Sequence, residues 1–288
     1  MLPNFLILGA QKAGTTTMWD RLRKSPDVYF SEPRETNFFI SDLDYKLGAI
    51  HYERTFFADT QGAKAVGEKT PGYLFYPPCA RRIRAILGAR IKLIAILRSP
   101  AARANSHHRH NYMLCRENLT FEEAIHIERQ RTANDPIKQA YFGYMLKGDY
   151  LTQLQRYFAI FPRENILAVR FDDLQDDQDQ TIKRVCDFLE ISVPAGDYVA
   201  RGRPKQQFLA IEKGSGTSVD IRFERDNLIL RDPSRKSLEF ARKYIENFPS
   251  LRSLTPDEEK DLNNHHHHDA IRRLEDLLKF DLRSWLPS

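Results

Sequence analysis

The chain has 288 residues, 41% of them hydrophobic and 29% charged, and its 44 basic and 39 acidic residues give a formal net charge of +5. This composition is typical of a soluble globular protein and excludes disordered and collagen-like chains. The length suffices for one large α/β domain or two smaller ones. The positive excess favours anionic ligands but is too small to indicate nucleic acid. We therefore expect a small anionic ligand and no nucleic-acid partner.

Cysteine usage and hydropathy restrict the cellular setting. Cys79, Cys115 and Cys186 are far apart, odd in number and without a Cys-x-x-Cys pair, which argues against a disulfide framework and a cysteine-based zinc site. This pattern favours a reducing compartment, and we expect a cytoplasmic location. The apolar stretch at 5–10 is far shorter than the roughly 20 residues of a membrane span, and no basic segment precedes it as in a signal peptide. The sequence therefore predicts no membrane-spanning segment.

Short, continuous apolar runs alternate along the chain with segments of helical periodicity. The run at 5–8 stops at Gly9, and continuous hydrophobicity suits a parallel strand buried on both faces. A helix is predicted after Gly14. Because strands and helices alternate, right-handed crossovers are expected. We predict an α/β fold with a P-loop-like central parallel sheet flanked by helices on both faces, in a single domain over residues 1–288. The other predicted strands are 65–67, 91–97 and 166–169, and the other predicted helices are 79–87, 121–131, 150–161 and 181–189.

The last third of the chain has a different composition. Residues 200–235 are rich in Gly, Arg, Lys and Ser, which predicts a long loop. Two helices are expected after it, with Trp285 docking the C-terminal tail. The histidine run at 265–268 precedes a predicted helix at 270–280. It resembles a metal tract or a tag remnant, but its length and place favour a polar helix start, and no metal site is predicted.

The loop after the first strand has the pattern of an anion site. It reads Gly-Ala-Gln-Lys-Ala-Gly-Thr-Thr over residues 9–16, and a glycine loop that opens a helix directs backbone N–H groups at an anion. In the nucleotide triphosphatase pattern G-x-x-x-x-G-K-[ST], a lysine would stand where this chain has Thr15. Lys12 lies three residues earlier, which suits a single 5′-phosphate carrying a transferable group. The alternative is an ordinary glycine turn with a surface lysine.

Several segments in the same order resemble a known family. The run at 12–17 resembles the 5′-phosphosulfate loop of sulfotransferases that use 3′-phosphoadenosine 5′-phosphosulfate, and the segment from Leu97 through Ser106 resembles their 3′-phosphate segment. Two further segments are similar to motifs of the heparan-sulfate N- and 3-O-sulfotransferase branch, at 32–39 and 67–71. Weaker similarity at 171–174 and 281–286 extends the resemblance to nearly the whole chain.

This resemblance implies which residues bind the nucleotide. The donor would be 3′-phosphoadenosine 5′-phosphosulfate, its product adenosine 3′,5′-bisphosphate, and no metal is expected. Arg98 and Ser106 would bind the 3′-phosphate, and a planar guanidinium suits that anion. Arg203 or Lys205, in a strip that would close over the nucleotide, would contact phosphate, or else form a solvated charge run. The implied contacts of the 5′-phosphosulfate are Lys12, Ala13, Gly14, Thr15, Thr16 and Thr17.

The resemblance also implies catalytic roles. Glu35 would be the general base, because it stands after a basic residue and before paired aromatics, as in the family pattern. Lys12 and Lys69 would stabilise the leaving phosphate. Glu32 is the competing carboxylate, and the ordinary alternative for Lys69 is a surface ion pair with its neighbour Glu68. Asn37 stands where many relatives have a histidine. The reserve candidates for the base are His107 and His108.

The sequence thus predicts transfer of a sulfuryl group to a hydroxyl or amine. The acceptor would be a small molecule, a carbohydrate or another hydroxyl-bearing compound, and the sequence does not fix the oligomeric state. A nucleotide kinase or triphosphatase is the rival, disfavoured by Thr15 at the lysine position and by Arg98 where a metal-binding aspartate is expected. A third alternative is a non-catalytic nucleotide-binding protein.

Overall fold

The computed structural model describes residues 1–60, 62–114, 116–194 and 253–287, together with the backbone of three strands between 207 and 231. The chain divides into two compact units. The first comprises Met1–Arg103, Lys147–Ala195 and Pro256–Ser288, and the second comprises Ala104–Leu146 and Gly196–Thr255.

A five-stranded parallel sheet forms the centre of the first unit, in the order β2-β3-β1-β4-β5. Strands β1 and β3 are buried along their whole length, as expected for strands covered on both faces. The predicted α/β fold with a central parallel sheet is confirmed, and the short β2 is an element that hydropathy did not indicate. The strands are β1 (Phe5–Gly9), β2 (Val28–Phe30), β3 (Ala65–Lys69), β4 (Lys92–Leu97) and β5 (Ile166–Arg170).

Helices flank this sheet, and several begin with a side-chain cap. Ser41, Asp149 and Asp177 each accept a hydrogen bond from a first-turn backbone N–H of the helix that follows. Pro100 stands first in its helix, where a missing N–H costs nothing. The helices are α1 (Thr15–Leu22), α2 (Asp42–Lys46), α3 (Gly48–Phe56), α4 (Cys79–Leu87), α5 (Pro100–Met113), α9 (Tyr150–Phe158), α10 (Phe171–Asp176), α11 (Gln178–Leu189) and a C-terminal helix (Pro256–Leu278).

In the second unit, the structure differs from two predictions made from the sequence. The single helix predicted at 121–131 is two short helices, α6 (Phe121–His126) and α7 (Glu128–Thr132), and α8 (Pro136–Phe142) follows them. Glu128 begins α7 and accepts hydrogen bonds from the backbone N–H groups of Met145 and Leu146, which anchors the break to the following loop.

The prediction of a long loop at 200–235 is wrong for half of that stretch. This stretch contains an antiparallel sheet of three strands in the order β6-β7-β8. The sequence Val-Asp-Ile-Arg-Phe at 219–223 has the period-two alternation of a strand, although its charges suggest a loop. The strands are β6 (Gln207–Glu212), β7 (Ser218–Glu224) and β8 (Asn227–Arg231).

The C-terminal helix contains the histidine run, which was expected to precede a helix. His267 is buried, and a methyl group added at Gly148 would lie 3.1 Å from the His267 Nε2. The C-terminal helix is therefore closely packed against the segment around Gly148. Among the described residues there is no group of three or more His, Cys, Asp and Glu side chains that could hold a metal ion. None of the helices in the described ranges is both long enough and apolar enough to cross a membrane.

Asn263 attaches the C-terminal helix to the start of α5. Its side chain is fully buried, its Oδ1 accepts the N–H of Ala101 at 2.9 Å, and its Nδ2 donates to Ser99 Oγ at 3.1 Å and to the Trp285 carbonyl at 2.9 Å. Trp285 is itself buried, so the predicted docking of the tail is confirmed. The Asn263 amide therefore joins the C-terminal helix to the start of α5 and to the C-terminal tail. One of its partners, Ser99, is the residue after Arg98.

Replacing Asn263 with alanine should lower the free energy of unfolding by about 2–4 kcal/mol, because three buried groups on two other segments lose their partner. Urea unfolding of Asn263→Ala measures the loss. The neighbouring Asn264 is exposed, and Asn264→Ala is the matched control, with an expected change within about 0.5 kcal/mol. Equal stabilities for the two variants would contradict the prediction.

Candidate functional site

The loop between β1 and α1 is shaped by backbone conformations that bring amides toward a ligand. Gly14, the N-cap of α1, has φ of 85°, and Lys12 also has a positive φ, at 69°. A methyl group at Gly14 would lie 2.9 Å from a carbon of the Phe171 ring, so glycine is required by space as well as by conformation. Because glycine has no side chain to cap the helix, the first-turn amides of α1 suit an anion.

The remaining residues of the predicted phosphosulfate loop take different positions. Ala13 and Thr15 are buried, while Lys12, Thr16 and Thr17 are half-buried. Lys12, Thr16 and Thr17 therefore combine partial exposure with a helix N-terminus, and such a set of donors suits a phosphate or phosphosulfate group.

Arg98 follows β4 and reaches this loop. Its Nη1 donates to the Lys12 carbonyl at 3.3 Å, and its guanidinium lies 4.7 Å from the centroid of the Phe171 ring. Tyr150 donates its hydroxyl to the Arg98 carbonyl at 2.9 Å. The same phenyl ring thus packs against both Gly14 and Arg98, and two residues that sequence similarity assigned to one nucleotide are brought together.

A cavity of about 310 Å³ opens beside Arg98. Acidic groups line it as well, so it differs from a simple anion site. Burial raises the pKa of Glu259, against the opposing effects of a hydrogen bond with Ser99 and of the Arg98 charge. The other residues that line the cavity include Asp172, Lys260 and Trp285.

Lys69 and Glu35 form an ion pair. Lys69 ends β3, where it is in register with Ile7 of β1, and its side chain is 1% exposed. Its Nζ donates to Glu35 Oε1. Burial lowers the pKa of Lys69, and the Glu35 carboxylate opposes this effect. The alternative of a surface pair between Lys69 and Glu68 is wrong, because Lys69 is buried and its carboxylate partner is Glu35.

Glu35 itself remains accessible. Its side chain is 40% exposed, and Asn37 donates to its backbone carbonyl at 3.4 Å. The preceding Arg34 lies 5.2 Å from the centroid of the Trp19 ring. Glu32, the competing carboxylate, is exposed. Of the two carboxylates, Glu35 therefore lies against the buried lysine while keeping a face open to an acceptor.

Glu68 is a fully buried carboxylate at the centre of a hydroxyl network. Its Oε2 accepts from Thr36 Oγ1 at 2.7 Å and from Thr70 Oγ1 at 2.9 Å, and its Oε1 accepts from the hydroxyls of Tyr73, at 2.8 Å, and Tyr52. Burial raises the pKa of Glu68, and the hydroxyl donors oppose this rise. Glu68 directly precedes Lys69 in β3, and Thr36 directly follows Glu35, so the network and the ion pair involve neighbouring residues.

The other predicted site residues lie elsewhere in the chain. Ser106 is half-buried on the part of α5 that belongs to the second unit. His107 and His108 are buried against Tyr144 in that unit, and the Nε2 of His108 is hydrogen-bonded to a backbone carbonyl. Burial lowers the pKa of His108. Arg203 and Lys205 lie outside the described residues.

Comparisons with known proteins identify the family of this chain. A family model described as a sulfotransferase domain matches residues 2–201. The membrane-associated sulfotransferase kil1 of Dictyostelium discoideum is 23% identical over 279 residues, covering 69% of this chain and 59% of kil1. Human heparan sulfate glucosamine 3-O-sulfotransferase 3B1 is 29% identical over 217 residues, covering 75% of this chain and 53% of the relative.

A solved structure is similar over almost its full length. The sulfotransferase from Alicyclobacillus acidocaldarius superposes with a TM-score of 0.69 and 26% sequence identity, and the match covers 99% of both chains. This chain belongs to the sulfotransferase family, with the P-loop-like parallel sheet that was predicted. It spans little more than half the length of the two curated relatives described above.

Sequence reasoning missed the residues that support the site. Phe171 was noted only as part of a weak similarity, and Tyr52 and Tyr73 carried no signal, since aromatic residues occur throughout the core. Glu68 was considered only as a surface partner of Lys69. A carboxylate at an interior strand position, Ala-Val-Gly-Glu-Lys in β3, was the available signal that a buried network was needed.

Glu68 makes the stability of the fold depend on pH. Because its folded pKa is raised above the ordinary value of 4.5, its contribution is fully present below that value and is lost as pH rises through the folded pKa. Glu68→Gln removes this titration. The free energy of unfolding of the natural protein should therefore fall relative to that of Glu68→Gln between about pH 4.5 and about pH 8. Urea unfolding at both pH values measures the difference, and a difference independent of pH would contradict it.

Proposed function

We propose that this chain transfers a sulfuryl group from 3′-phosphoadenosine 5′-phosphosulfate to a hydroxyl or amine acceptor and releases adenosine 3′,5′-bisphosphate. The observation that carries the proposal is the ion pair between the half-exposed Glu35 and the buried Lys69. It lies at the end of β3, next to the strand that leads into the anion-binding loop. Membership of the sulfotransferase family supports the proposal.

The donor would be held by groups on neighbouring strand ends. The carboxyl ends of β1, β3 and β4 share one edge of the parallel sheet, which is where such folds bind ligands. Arg98 would bind the 3′-phosphate, with Ser106 as a second ligand, and Arg203 and Lys205 would add charge from the later segment. The 5′-phosphosulfate would be bound by Lys12, Ala13, Gly14, Thr15, Thr16 and Thr17.

The reaction would be an in-line displacement at sulfur. An acceptor oxygen or nitrogen forms a bond to sulfur, the bond from sulfur to the 5′-phosphate oxygen breaks, and Glu35 accepts the acceptor proton. Lys12 and Lys69 stabilise the negative charge that develops on the leaving phosphate. Because these two ammonium groups supply positive charge, we propose that the reaction needs no metal ion.

Carbohydrate is the acceptor class that the relatives favour. The human relative described above is a heparan sulfate glucosamine 3-O-sulfotransferase. A hydroxyl of a saccharide is therefore the first acceptor to test, with other small hydroxyl compounds as alternatives. We further propose that residues 1–288 act as one sulfotransferase domain. The cytoplasmic location inferred from the cysteine pattern stays a prediction.

Donor binding tests the nucleotide site. At about 100 times its Kd, adenosine 3′,5′-bisphosphate should raise the free energy of unfolding by roughly 2.7 kcal/mol, because it binds only the folded chain. Arg98→Ala should remove most of this increase, since the variant lacks the guanidinium. Arg84 is exposed on α4, so Arg84→Ala is the matched control and should keep the full increase. If ATP with magnesium stabilises the protein more than the bisphosphate does, the kinase alternative is correct.

Glu35→Gln tests the catalytic base. Glutamine keeps the size of the side chain but accepts no proton, so sulfuryl transfer should fall roughly 10²- to 10⁴-fold while bisphosphate affinity changes little. Glu32→Gln, at an exposed carboxylate three residues earlier, is the control and should do far less. Transfer of ³⁵S from labelled donor to desulfated heparan oligosaccharides, simple sugars, phenols and amines provides the assay.

Two outcomes would redirect the assignment. Full activity of Glu35→Gln, combined with loss of activity on substitution of His107 or His108, would move the base to a histidine. Bisphosphate binding without labelling of any acceptor would favour a nucleotide-binding protein over an enzyme.

A further inference from the structure

The Glu68 carboxylate joins the two chain segments that carry the candidate catalytic residues. Thr36, which follows Glu35, donates its hydroxyl to Glu68 Oε2 at 2.7 Å and its backbone N–H at 3.3 Å. Thr70, which follows Lys69, donates its hydroxyl to the same oxygen at 2.9 Å. A single buried oxygen atom therefore connects the neighbour of the candidate base to the neighbour of the candidate lysine.

The contacts of this network and of the ion pair lie at the end of β3. Glu68 and Lys69 are consecutive in β3, and successive strand residues project to opposite faces of a sheet. Glu35 and Thr36 are also consecutive, and each reaches one of these two side chains. The segment is thus held on both sides of the strand, so a shift of Thr36 necessarily shifts Glu35 relative to Lys69.

The second oxygen of Glu68 fixes the surrounding aromatic residues. Its Oε1 accepts from the Tyr52 and Tyr73 hydroxyls. The Tyr52 ring stacks on Phe38 with centroids 4.2 Å apart, and the Tyr73 ring lies 5.3 Å from that of Phe39. These two phenylalanines follow Thr36 in the chain, so the network contacts the segment 35–39, which contains Glu35, at several residues.

We propose that Glu68 is a positioning residue for sulfuryl transfer, which through Thr36 and Thr70 sets the placement of the Glu35 carboxylate against the Lys69 ammonium. This inference rests on the proposed function for its catalytic consequence. Glu68 is fully buried, so it would contact neither donor nor acceptor. It acts on the rate because a misplacement of about 1 Å in a reacting group can cost roughly 100-fold.

A carboxylate suits this task better than another buried side chain. The two oxygens of a carboxylate together have about four acceptor positions, and hydroxyls that fill these positions must point inward as donors. The four hydroxyls and one backbone N–H that reach Glu68 are oriented by this requirement. An apolar side chain would fill the space without fixing any of these directions.

Substitution of Thr36 tests the proposal with little change in volume. Thr36→Val removes the hydroxyl and should lower kcat roughly 10- to 100-fold, with KM for the donor and bisphosphate affinity within about 2-fold. Thr36→Ser keeps a hydroxyl and should restore most of the rate. The matched control is Thr181→Val, which removes an equally buried threonine hydroxyl that donates to the Asp173 carbonyl at 3.0 Å. The acceptor probe is desulfated heparan oligosaccharide.

A titration of Lys69 provides a readout that does not depend on turnover. Because the Glu35 carboxylate opposes the lowering of the Lys69 pKa by burial, weakening the pair should lower this pKa further. NMR titration of the ¹³Cε signal of Lys69 should detect the change in Thr36→Val and leave Thr181→Val unchanged. Tyr73→Phe, which removes one donor and keeps the ring, is the second variant if Thr36→Val does not fold.

The two hypotheses fail in different ways. If the natural protein neither binds bisphosphate nor labels an acceptor, the proposed function is wrong, and the Lys69 titration alone decides whether the network positions the pair. If the natural protein is active and Thr36→Val keeps both its kcat and its Lys69 pKa, Glu68 has no positioning role. A loss of rate in Thr181→Val equal to that in Thr36→Val would also overturn the proposal, because the effect would then follow from stability.

Discussion

The pairing of β1 with β3 on one side and β4 on the other is the constraint on which the candidate site depends. Parallel strands end at the same edge of a sheet, and here β1 leads into the glycine loop at residues 9–16, β3 ends in Lys69, and β4 is followed by Arg98. Three groups that are distant in sequence are therefore neighbours. The interior strands also exclude water beneath the site, so each charge needs a specific partner.

Buried charge is handled in two different ways on the two faces of β3. Lys69 is compensated by one opposing charge, Glu35, which keeps an exposed side and stays available for chemistry. Glu68 is compensated by hydroxyl groups, which hold it in place and leave nothing exposed. The first arrangement leaves one partner accessible, and the second encloses the carboxylate completely. Because Glu68 and Lys69 are consecutive in β3, the accessible pair and the enclosed network involve neighbouring residues.

The glycine loop at residues 9–16 and Arg98 are packed by residues from the far end of the chain. Phe171 packs against both Gly14 and Arg98, and Asn263 of the C-terminal helix bonds to Ser99, the residue after Arg98. The Trp285 indole lies over this region and contacts the Asp172 carboxylate at 3.4 Å. The region around the loop near residue 10 is thus packed in part by residues after 250.

The sequence alone predicted the parallel sheet, because the apolar runs at 5–8 and 91–97 are as short as strands and are bounded by Gly9 and by Arg98-Ser99-Pro100. It also gave the order of the motifs that are predicted to bind phosphate, because each of them is contiguous in the chain. It did not determine the charged interior of β3 or the strands within 207–231, because charged residues mask a period-two pattern. Only the tertiary structure decided that Lys69 pairs with Glu35 rather than with Glu68, and that Tyr52 and Tyr73 bond to Glu68. These contacts join residues brought together by strand pairing and helix packing, and no local spacing in a sequence encodes such a partner.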